Sequence, residues 1–466
     1  MSHTPQSDST YHLRYQQQQI FFESGKTREY AFRAAQLKQL RTVIKDHEQE
    51  IIAALQADLR KPVFEAFTSE IGLVYDEIAF ALSHLKAWMA PEKVKTPAVL
   101  FPTTSRILPE PKGTVLIIAP WNYPFMLLFS PLVGAIAAGN TVFLKPSELA
   151  PRTSALMEKM VSENFDPAYI HIVTGDGATV VGRLMETIRF DHIFFTGSTP
   201  VGKIIAQAAA KTLTPVTLEL GGKSPAIVDS EVDIDTAAKH IAWAKYFNAG
   251  QSCVSPDYVL VHESQKTRLV ERMRHYIHAF FGDNPQQSES YARIINHRRF
   301  DVLEKYLHEG NIVAGGQTDR EDLYIAPTVI ENTGPENKLM QEEIFGPILP
   351  VLTWKTQAEA LSIVKKNPQP LAFYIFTQND KTSDEFIQRI PFGGGCINNA
   401  MVHLANPHLP FGGVGSSGMG SYHGEESFRT FSHFKSVMKT KNFYDNPLRY
   451  PPYNNRKVDL AQWVFD

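Results

Sequence analysis

The sequence predicts an α/β protein built on a doubly wound parallel sheet, because strands and helices alternate along most of the chain. After Pro111, short apolar runs rich in β-branched residues are separated by stretches of helical length. Glycines follow several of these runs, where a strand must give way to the next helix. The five strands predicted for the first sheet are Val115–Ala119, Thr141–Leu144, Tyr169–Val173, Phe190–Thr196 and Val216–Leu220.

Helices are predicted before, between and after these strands. Apolar residues at helical spacing predict one helix over Tyr30–Leu55 and another over Phe67–Trp88. The helices expected between the strands are Phe125–Ala138, Ser154–Asn164, Thr179–Glu186 and Val201–Ala210. A second alternation then predicts a second α/β domain, which opens with helix Thr236–Phe247, strand Tyr258–His262 and helix Gln265–Phe281. Residues 91–111 hold five prolines, so an extended linker or edge ribbon is expected there.

Length, charge and cysteine content narrow the class of protein. A chain of 466 residues exceeds what one hydrophobic core usually supports, so two or three domains are expected. A formal net charge of −3 gives no electrostatic reason to expect a nucleic-acid or anionic-membrane partner. Two cysteines make a disulfide-stapled secreted scaffold improbable and favour a cytoplasmic protein. Met1–Thr10 is polar and lacks the apolar centre of a signal peptide.

The stretch from Gly113 to Leu144 carries no charged residue or histidine and is long enough to cross a bilayer. Prolines at 120, 124 and 131 would break a spanning helix three times. A buried strand–turn–helix–turn–strand unit explains the same composition without that cost. We therefore expect no integral membrane segment.

Two segments that follow predicted strands are candidates for nucleotide binding, because ligands of such sheets bind beyond the strands' carboxyl ends. Gly197–Gly202 opens a helix, whose first N–H groups can bind phosphate. Its spacing departs from the G-x-G-x-x-G fingerprint, so an ordinary strand–helix turn is an equal alternative. Lys145 and Glu148 could hold a ribose, although such side chains are usually solvated at a helix entrance.

Two further residues are candidates for catalysis. Glu219 lies between two leucines of a buried strand, a setting that raises a carboxyl pKa and suits a general base. A structural ion pair is the alternative.

Cys253 follows a helix closed by Gly250, in a polar turn that would give a nucleophile access. A packed, inert thiol is the commoner fate of a lone cysteine, and it is the favoured interpretation for Cys396. 

Glu343 lies two residues before an aromatic residue, ahead of a Gly-Pro break, so this segment can present an acid and a ring to one ligand. By itself this pattern is uninformative. No CxxC pair and no histidine at metal-ligand spacing accompanies either cysteine, so no metal site is predicted.

Taken together, these segments resemble the NAD(P)-dependent aldehyde dehydrogenase superfamily. They occur in the family's order and cover nearly the whole chain after the N-terminal tail. The short N-terminus, residues 251–258 and residues 418–424 resemble its class 3 branch, which includes bacterial and fatty-aldehyde enzymes. The matching segments are Pro120–Pro124, Lys145–Glu148, Phe195–Ser198, Leu218–Lys223, Gly250–Cys253, Glu343–Pro347 and Pro410–Gly413.

The resemblance implies roles for individual residues. Cys253 would attack the aldehyde, the Asn122 side chain and the Cys253 backbone N–H would hold the oxyanion, and Glu219 would activate water. Lys145 and Glu148 would face the adenosine ribose of NAD or NADP, with NAD slightly favoured by the carboxylate. The remaining residues expected to bind the cofactor are Gly197 and Ser198 at the pyrophosphate, Glu343 at the nicotinamide ribose, Phe345 against the nicotinamide, and Trp121, Val201 and Gly202.

The resemblance also implies a division of the chain and a partner. Residues 1–90 and 112–219 would form a Rossmann-like cofactor domain, and 220–425 a catalytic domain. Residues 91–111 and 426–440 would form a bridging sheet of a homodimer. A tail would follow at 441–466, with no apolar span long enough to anchor it in a membrane. Apolar residues around Tyr123, Phe125 and Trp243 suggest a hydrophobic tunnel, and the expected substrates are medium- to long-chain aliphatic or aromatic aldehydes. 

The sequence disfavours two other functions. Transfer of the acyl group to coenzyme A is disfavoured by Glu219, since a hydrolytic base is of no use to it. A purely structural role is disfavoured because Cys253, Glu219 and Asn122 are all present.

Overall fold

The computed structural model describes residues 8–334 and 336–465. Most of the Met1–Thr10 segment, on which a sequence prediction was made, lies outside these residues. The α-helices are, in chain order, Asp8–Glu23, Tyr30–Asp46, Glu48–Leu59, Val63–Ala66, Gly72–Trp88, Met126–Ala138, Pro151–Asn164, Gly177–Thr187, Thr199–Ala210, Ile234–Tyr246, Lys266–Phe281, His297–Tyr306, Lys338–Gln341, Gln357–Lys366, Asp380–Arg389, Gly424–Thr430 and Asn455–Phe465.

The first sheet contains the five predicted strands, with ends shifted by one or two residues. Its neighbours pair in parallel, except for a short antiparallel strand from late in the chain. Across the sheet the strands are Gly418–Met419, Val216–Glu219, His192–Thr196, Thr114–Ile118, Thr141–Lys145 and Ile170–Ile172. The predicted α/β class is therefore confirmed.

The strand order of the first sheet places its ligand-binding edge. Thr114–Ile118 pairs with Thr141–Lys145 on one side and with His192–Thr196 on the other, so the winding direction reverses there. Loops that follow strands on the two sides of such a switch diverge and leave a crevice. Trp121 and Gly197 lie on the two loops that border it.

The second sheet has seven strands and is parallel except at one edge. It includes the predicted strand Tyr258–His262. Across the sheet the strands are Asn311–Ala314, Thr328–Glu331, Ile348–Trp354, Tyr258–His262, Pro225–Val228, Ala372–Phe376 and Gly394–Ile397. A separate two-stranded ribbon joins Thr318–Asp319 to Tyr324–Ile325.

A third, antiparallel sheet contains the proline-rich segment. Thr103–Pro111 pairs with Ser432–Thr440 along its whole length and with Glu92–Val94 on its other side. The predicted extended ribbon is thus present, with one helical turn at Ala98–Leu100 inside it.

The long uncharged stretch is buried inside the protein. Every residue of helix Met126–Ala138 is buried, and so are the flanking strands Thr114–Ile118 and Thr141–Lys145. The absence of charge therefore reflects a position between layers of the core. Among the described residues, no helix combines the length and apolarity that crossing a membrane requires.

Two helix predictions need correction. The helix predicted over Tyr30–Leu55 is divided at His47, whose φ of −109° and ψ of 10° leave the helical region. The His47 ring nitrogen Nδ1 lies 2.9 Å from the carbonyl of Val43, an interaction that helps to end the first helix. The other predicted helix begins with a π-helical turn over Phe67–Ile71 and becomes α-helical only at Gly72.

Candidate active site

The loop that carries Cys253 follows helix Ile234–Tyr246 and is buried. Asn248 and Ala249 both have left-handed backbones, with φ of 52° and 51°. An exposed polar turn was expected, but Gln251 is fully buried and Ser252 is 4% exposed. The Gln251 amide is accommodated by internal bonds: its Nε2 donates to the carbonyls of residues 248 and 293, and its Oε1 accepts from the backbone N–H of residue 295.

Cys253 is partly buried and lines a cavity of about 320 Å³. Burial is the main cause that raises the pKa of its thiol to about 12, and the Glu343 and Glu219 carboxylates contribute to this shift. The backbone N–H groups of Cys253 and Val254 oppose this shift. The thiol is therefore protonated at neutral pH in the free chain. Tyr374 fixes the following residue, since its hydroxyl donates to the Val254 carbonyl at 2.6 Å.

Glu219 ends strand Val216–Glu219 and lines the same cavity as Cys253. It is 2% exposed, and neither carboxylate oxygen has a hydrogen-bond partner among the described residues. Burial alone raises its pKa well above the ordinary range. The structural ion pair considered as an alternative is not formed. An unpaired acid and a thiol thus share one enclosed space.

Asn122 is 2% exposed and connects the first sheet to the loop of Cys253. Its Nδ2 donates to the Gln251 carbonyl at 3.1 Å, two residues before the thiol. A carboxamide nitrogen carries two hydrogens, so a second donor remains for another acceptor. Asn122 itself does not line the cavity, whose wall is formed here by Tyr123 and Ser252.

The cavity wall is almost entirely apolar. Tyr123 and Trp243 line it as expected, whereas Phe125 is fully buried and packs against Phe129. No lysine or arginine is among its lining residues. The apolar residues on the wall are Phe64, Leu73, Tyr123, Met126, Leu127, Trp243, Phe247, Val254, Leu371, Met401, Val402, Leu404, Ala405, Phe411 and Tyr422.

Glu343 and Phe345 lie on a loop next to that of Cys253. The Glu343 carboxylate lies over Gly221, where an added Cβ would come within 2.2 Å of an oxygen. Burial raises the pKa of Glu343 to about 8, with Asp257 adding to the shift. The Phe345 ring meets Trp121 edge to face, with 5.3 Å between ring centroids.

Lys145 and Glu148 meet at the carboxyl end of strand Thr141–Lys145. Lys145 is 1% exposed, and its Nζ donates to the Pro146 carbonyl at 2.7 Å and to Glu148 at 3.3 Å. Burial lowers the Lys145 pKa, while Glu148 opposes that shift. The Glu148 carboxylate faces Gly177, at the start of a helix.

The glycine-rich turn opens helix Thr199–Ala210. Ser198 is the N-cap residue, and its side chain makes no capping hydrogen bond. Gly202 packs tightly on Leu220, because an added Cβ would lie 2.6 Å from a leucine methyl. Val201 is 43% exposed on the outer face of this helix.

The model of the aldehyde dehydrogenase family matches residues 17–437. This chain belongs to the aldehyde dehydrogenase family. It is 46% identical to 4,4'-diaponeurosporen-aldehyde dehydrogenase of Staphylococcus aureus, over 94% of this chain and 95% of the relative. It is also 46% identical to aldehyde dehydrogenase family 3 member H1 of Arabidopsis thaliana, over 96% of this chain and 93% of the relative.

Solved structures agree with these relatives. The substrate-bound state of Staphylococcus aureus AldH superposes with a TM-score of 0.95 at 45% identity, covering 97% of this chain and 99% of the other. An NAD-dependent aldehyde dehydrogenase from Sinorhizobium meliloti gives 0.86 at 31% identity, covering 95% and 89%. The chain is therefore an aldehyde dehydrogenase, and the family 3 relatives confirm the class 3 resemblance.

The family uses NAD(P), and the residues of this chain fit a dinucleotide. The first N–H groups of helix Thr199–Ala210 lack a side-chain cap from Ser198, which suits a phosphate. Val201 and Ile204 expose apolar side chains on the same helix. The Glu343 carboxylate is held beside a backbone without a side chain, at Gly221. Among residues 8–334 and 336–465, no group of three or more His, Cys, Asp or Glu is arranged to hold a metal ion.

Several residues of the site escaped sequence reasoning. Tyr422 and His423 line the cavity although they lie in a segment noted only for its family resemblance. His423 stacks on Phe411, with ring centroids 5.1 Å apart. Lys61 and Glu70, which lie behind Asn122, gave no sequence signal because their contacts with the segment from Asn122 to Met126 span 55 to 61 residues.

Proposed function

We propose that this aldehyde dehydrogenase oxidises apolar aldehydes to carboxylic acids through a thioester on Cys253. One observation carries the proposal: the Cys253 thiol and the unpaired Glu219 carboxylate line the same apolar cavity. An unpaired buried carboxylate costs stability, and a raised pKa suits it to proton transfer near neutral pH.

In this mechanism the Cys253 thiol loses its proton to water, its sulfur attacks the aldehyde carbon as a thiolate, and the carbonyl oxygen becomes an oxyanion. The Asn122 Nδ2 and the Cys253 backbone N–H donate to that oxygen. A bound nicotinamide, held by Glu343 and Phe345, would supply the acceptor for the hydride of the substrate carbon. The oxyanion would then close to a carbonyl, and the acyl group would remain on Cys253 as a thioester. Glu219 then takes a proton from water, the resulting hydroxide adds to the thioester carbon, and the carbon–sulfur bond breaks to release the acid.

The residues proposed to hold the cofactor lie along the carboxyl edge of the first sheet and the adjoining loop. Lys145 and Glu148 bind the adenosine ribose, and Glu148 favours NAD over NADP because a carboxylate accepts the free 2′-hydroxyl and repels a 2′-phosphate. Glu343 binds the nicotinamide ribose. The other proposed contacts are Trp121, Gly197, Ser198, Val201, Gly202 and Phe345.

The proposed substrates are medium- to long-chain aliphatic or aromatic aldehydes. Each methylene of a substrate that is buried against the apolar wall makes binding more favourable. Among the described residues no lysine or arginine lines the cavity to pair with an anionic group. The relative named for 4,4'-diaponeurosporen-aldehyde supports this preference.

The assembly and domain division are also proposals. Residues 1–90 and 112–219 would act as the cofactor domain and 220–425 as the catalytic domain, with 441–466 as a tail. Residues 91–111 and 426–440 would bridge a cytoplasmic homodimer. The third sheet supports the dimer, because Ser432–Thr440 forms one of its edges and is mostly exposed.

The decisive experiment compares Cys253→Ala with Cys396→Ala. The purified proteins are given NAD+ or NADP+ with aldehydes of graded chain length, and reduced cofactor is measured by absorbance. We expect Cys253→Ala to abolish turnover and Cys396→Ala to retain it, because Cys396 lies outside the cavity. Full activity in Cys253→Ala would overturn the proposal. The substrate preference would be overturned if an aldehyde that ends in a carboxylate had the same kcat/KM as an apolar aldehyde of equal length.

A further inference from the structure

Lys61 and Glu70 form an ion pair with no exposed surface on either side chain. The Lys61 Nζ lies 2.5 Å from Glu70 Oε1. Removing two charges from water is expensive, and a buried pair is weak evidence for stability by itself. Neither residue lines the cavity, and the proposed mechanism uses neither of them. Their other contacts indicate what the pair does.

The pair holds both ends of the segment from Asn122 to Met126. At one end, Lys61 Nζ donates to the Asn122 carbonyl at 3.0 Å and lies 4.2 Å from the centre of the Tyr123 ring. At the other end, Glu70 Oε2 accepts from the backbone N–H groups of residues 125 and 126 at 3.1 and 2.9 Å. Helix Met126–Ala138 begins there.

The same Asn122 carbonyl is also tied to the loop of the thiol. Asn248 Nδ2 donates to it at 2.9 Å and to the Gln251 carbonyl at 3.2 Å. The Gln251 carbonyl in turn accepts from Asn122 Nδ2. Asn248 is anchored by Glu65, whose Oε2 accepts from its backbone N–H at 2.9 Å. Asn122 is therefore fixed between the ion pair and the nucleophile loop.

We propose that Lys61 and Glu70 are positioning residues for the side-chain amide of Asn122, an inference that rests on the proposed oxyanion role of Asn122. An oxyanion donor acts only if it lies 2.7–3.1 Å from the place where charge develops. Displacements of about 1 Å near reacting atoms can cost about 100-fold in rate. Lys61 and Glu70 touch no reacting atom, so they act through the position of Asn122.

The test measures the single-turnover rate of reduced-cofactor formation, which reports acylation of Cys253. The main variant is the double substitution Lys61→Met with Glu70→Gln, because a single substitution leaves one buried charge unpaired. We expect it to slow acylation by about 10- to 100-fold. The dissociation constant for NAD+ should change far less than the acylation rate, because Trp121 adjoins the segment that the pair holds but neither Lys61 nor Glu70 is a proposed cofactor contact.

A double-mutant cycle with Asn122→Ala separates positioning from general support of the fold. If the pair acts through Asn122, adding the double substitution to Asn122→Ala changes the acylation rate by less than about twofold. An equal slowing in both backgrounds would overturn the inference. If Asn122→Ala does not slow acylation, the oxyanion role of Asn122 is wrong, whereas activity in Cys253→Ala would show that the mechanism itself is wrong.

Arg33 provides a matched control, because it binds the far end of helix Met126–Ala138, the helix whose start Glu70 holds. It is 5% exposed and donates to the carbonyls of Thr27 and Ala137 at 2.7 and 3.0 Å. We expect Arg33→Met to lower the melting temperature and leave the acylation rate unchanged. A slowing equal to that of the double variant would overturn the inference.

Asn248→Gly keeps the test decisive if the double variant does not fold. It removes the side-chain donor to the Asn122 and Gln251 carbonyls without changing any charge, and glycine suits the left-handed backbone at this position. It should slow acylation in the wild-type background and have less than about twofold effect beside Asn122→Ala. Additive slowing would again overturn the inference.

Discussion

Glu70 and Glu219 are both removed from solvent, but their surroundings are opposite. Glu70 accepts from the Lys61 ammonium and from two backbone N–H groups, whereas the Glu219 oxygens have no partner among the described residues. Burial raises the pKa of both carboxyls, and at Glu70 the ammonium and the hydrogen bonds oppose the shift. The difference teaches that burial alone does not indicate function. A satisfied carboxylate holds structure in place, and an unsatisfied one is available for chemistry.

The largest expected effect is on turnover in Glu219→Gln. Losing a positioned general base should lower the steady-state rate by about 10²- to 10⁴-fold. Acylation does not need this base, so a burst of reduced cofactor should remain. Rapid mixing followed by steady-state absorbance measures both phases. Unimpaired steady turnover would remove Glu219 from the hydrolytic step.

The second effect is on stability in Glu70→Gln. The substitution leaves the Lys61 charge buried and unpaired, so the free energy of unfolding should fall by about 3–5 kcal/mol. Urea or guanidinium titration measures it. The control is the double substitution with Lys61→Met, which removes both charges and should recover much of the loss. Equal stability of the single and double variants would contradict the role assigned to the pair.

A smaller, pH-dependent effect of opposite sign is expected for the stability of Glu219→Gln. The folded pKa of Glu219 lies above its unfolded value, so the folded wild type loses stability as pH rises through the interval between them. Glutamine removes that loss. The variant should therefore become more stable than the wild type by about 1–3 kcal/mol as pH rises. Melting temperatures of the wild type and the variant at several pH values measure this difference in stability. A difference that does not change with pH would contradict an unpaired Glu219 carboxylate.

The smallest effect concerns Glu148, whose side chain is 38% exposed at the surface. Glu148→Gln removes the charge that would repel a 2′-phosphate, so the ratio of kcat/KM for NADP+ over NAD+ should rise by roughly tenfold. Steady-state assays with both cofactors measure this ratio, with Glu158→Gln as a carboxylate control on the next helix. An unchanged ratio would place the ribose elsewhere.

The sequence was sufficient for the features that depend on local pattern. Strand spacing predicted the first sheet, and the setting of Glu219 between two leucines predicted its raised pKa. Features that depend on distant contacts were missed. The turn at Cys253 is polar yet buried, and its Gln251 amide bonds to one carbonyl within the turn and to another 42 residues away. The Lys61 ammonium reaches a carbonyl 61 residues away, a contact that no local periodicity encodes.

Gly250 and Gly346 have a consequence for how the two substrates of the enzyme affect each other. A Cβ on Gly250 would lie 2.3 Å from the Gly346 carbonyl oxygen, so the two loops meet backbone against backbone. At this contact the backbone of the Cys253 loop lies directly against the backbone of the Phe345 loop. A displacement of one loop therefore displaces the other. A single methyl group added at Gly250 would clash with Gly346 and move the Cys253 thiol away from the Phe345 ring.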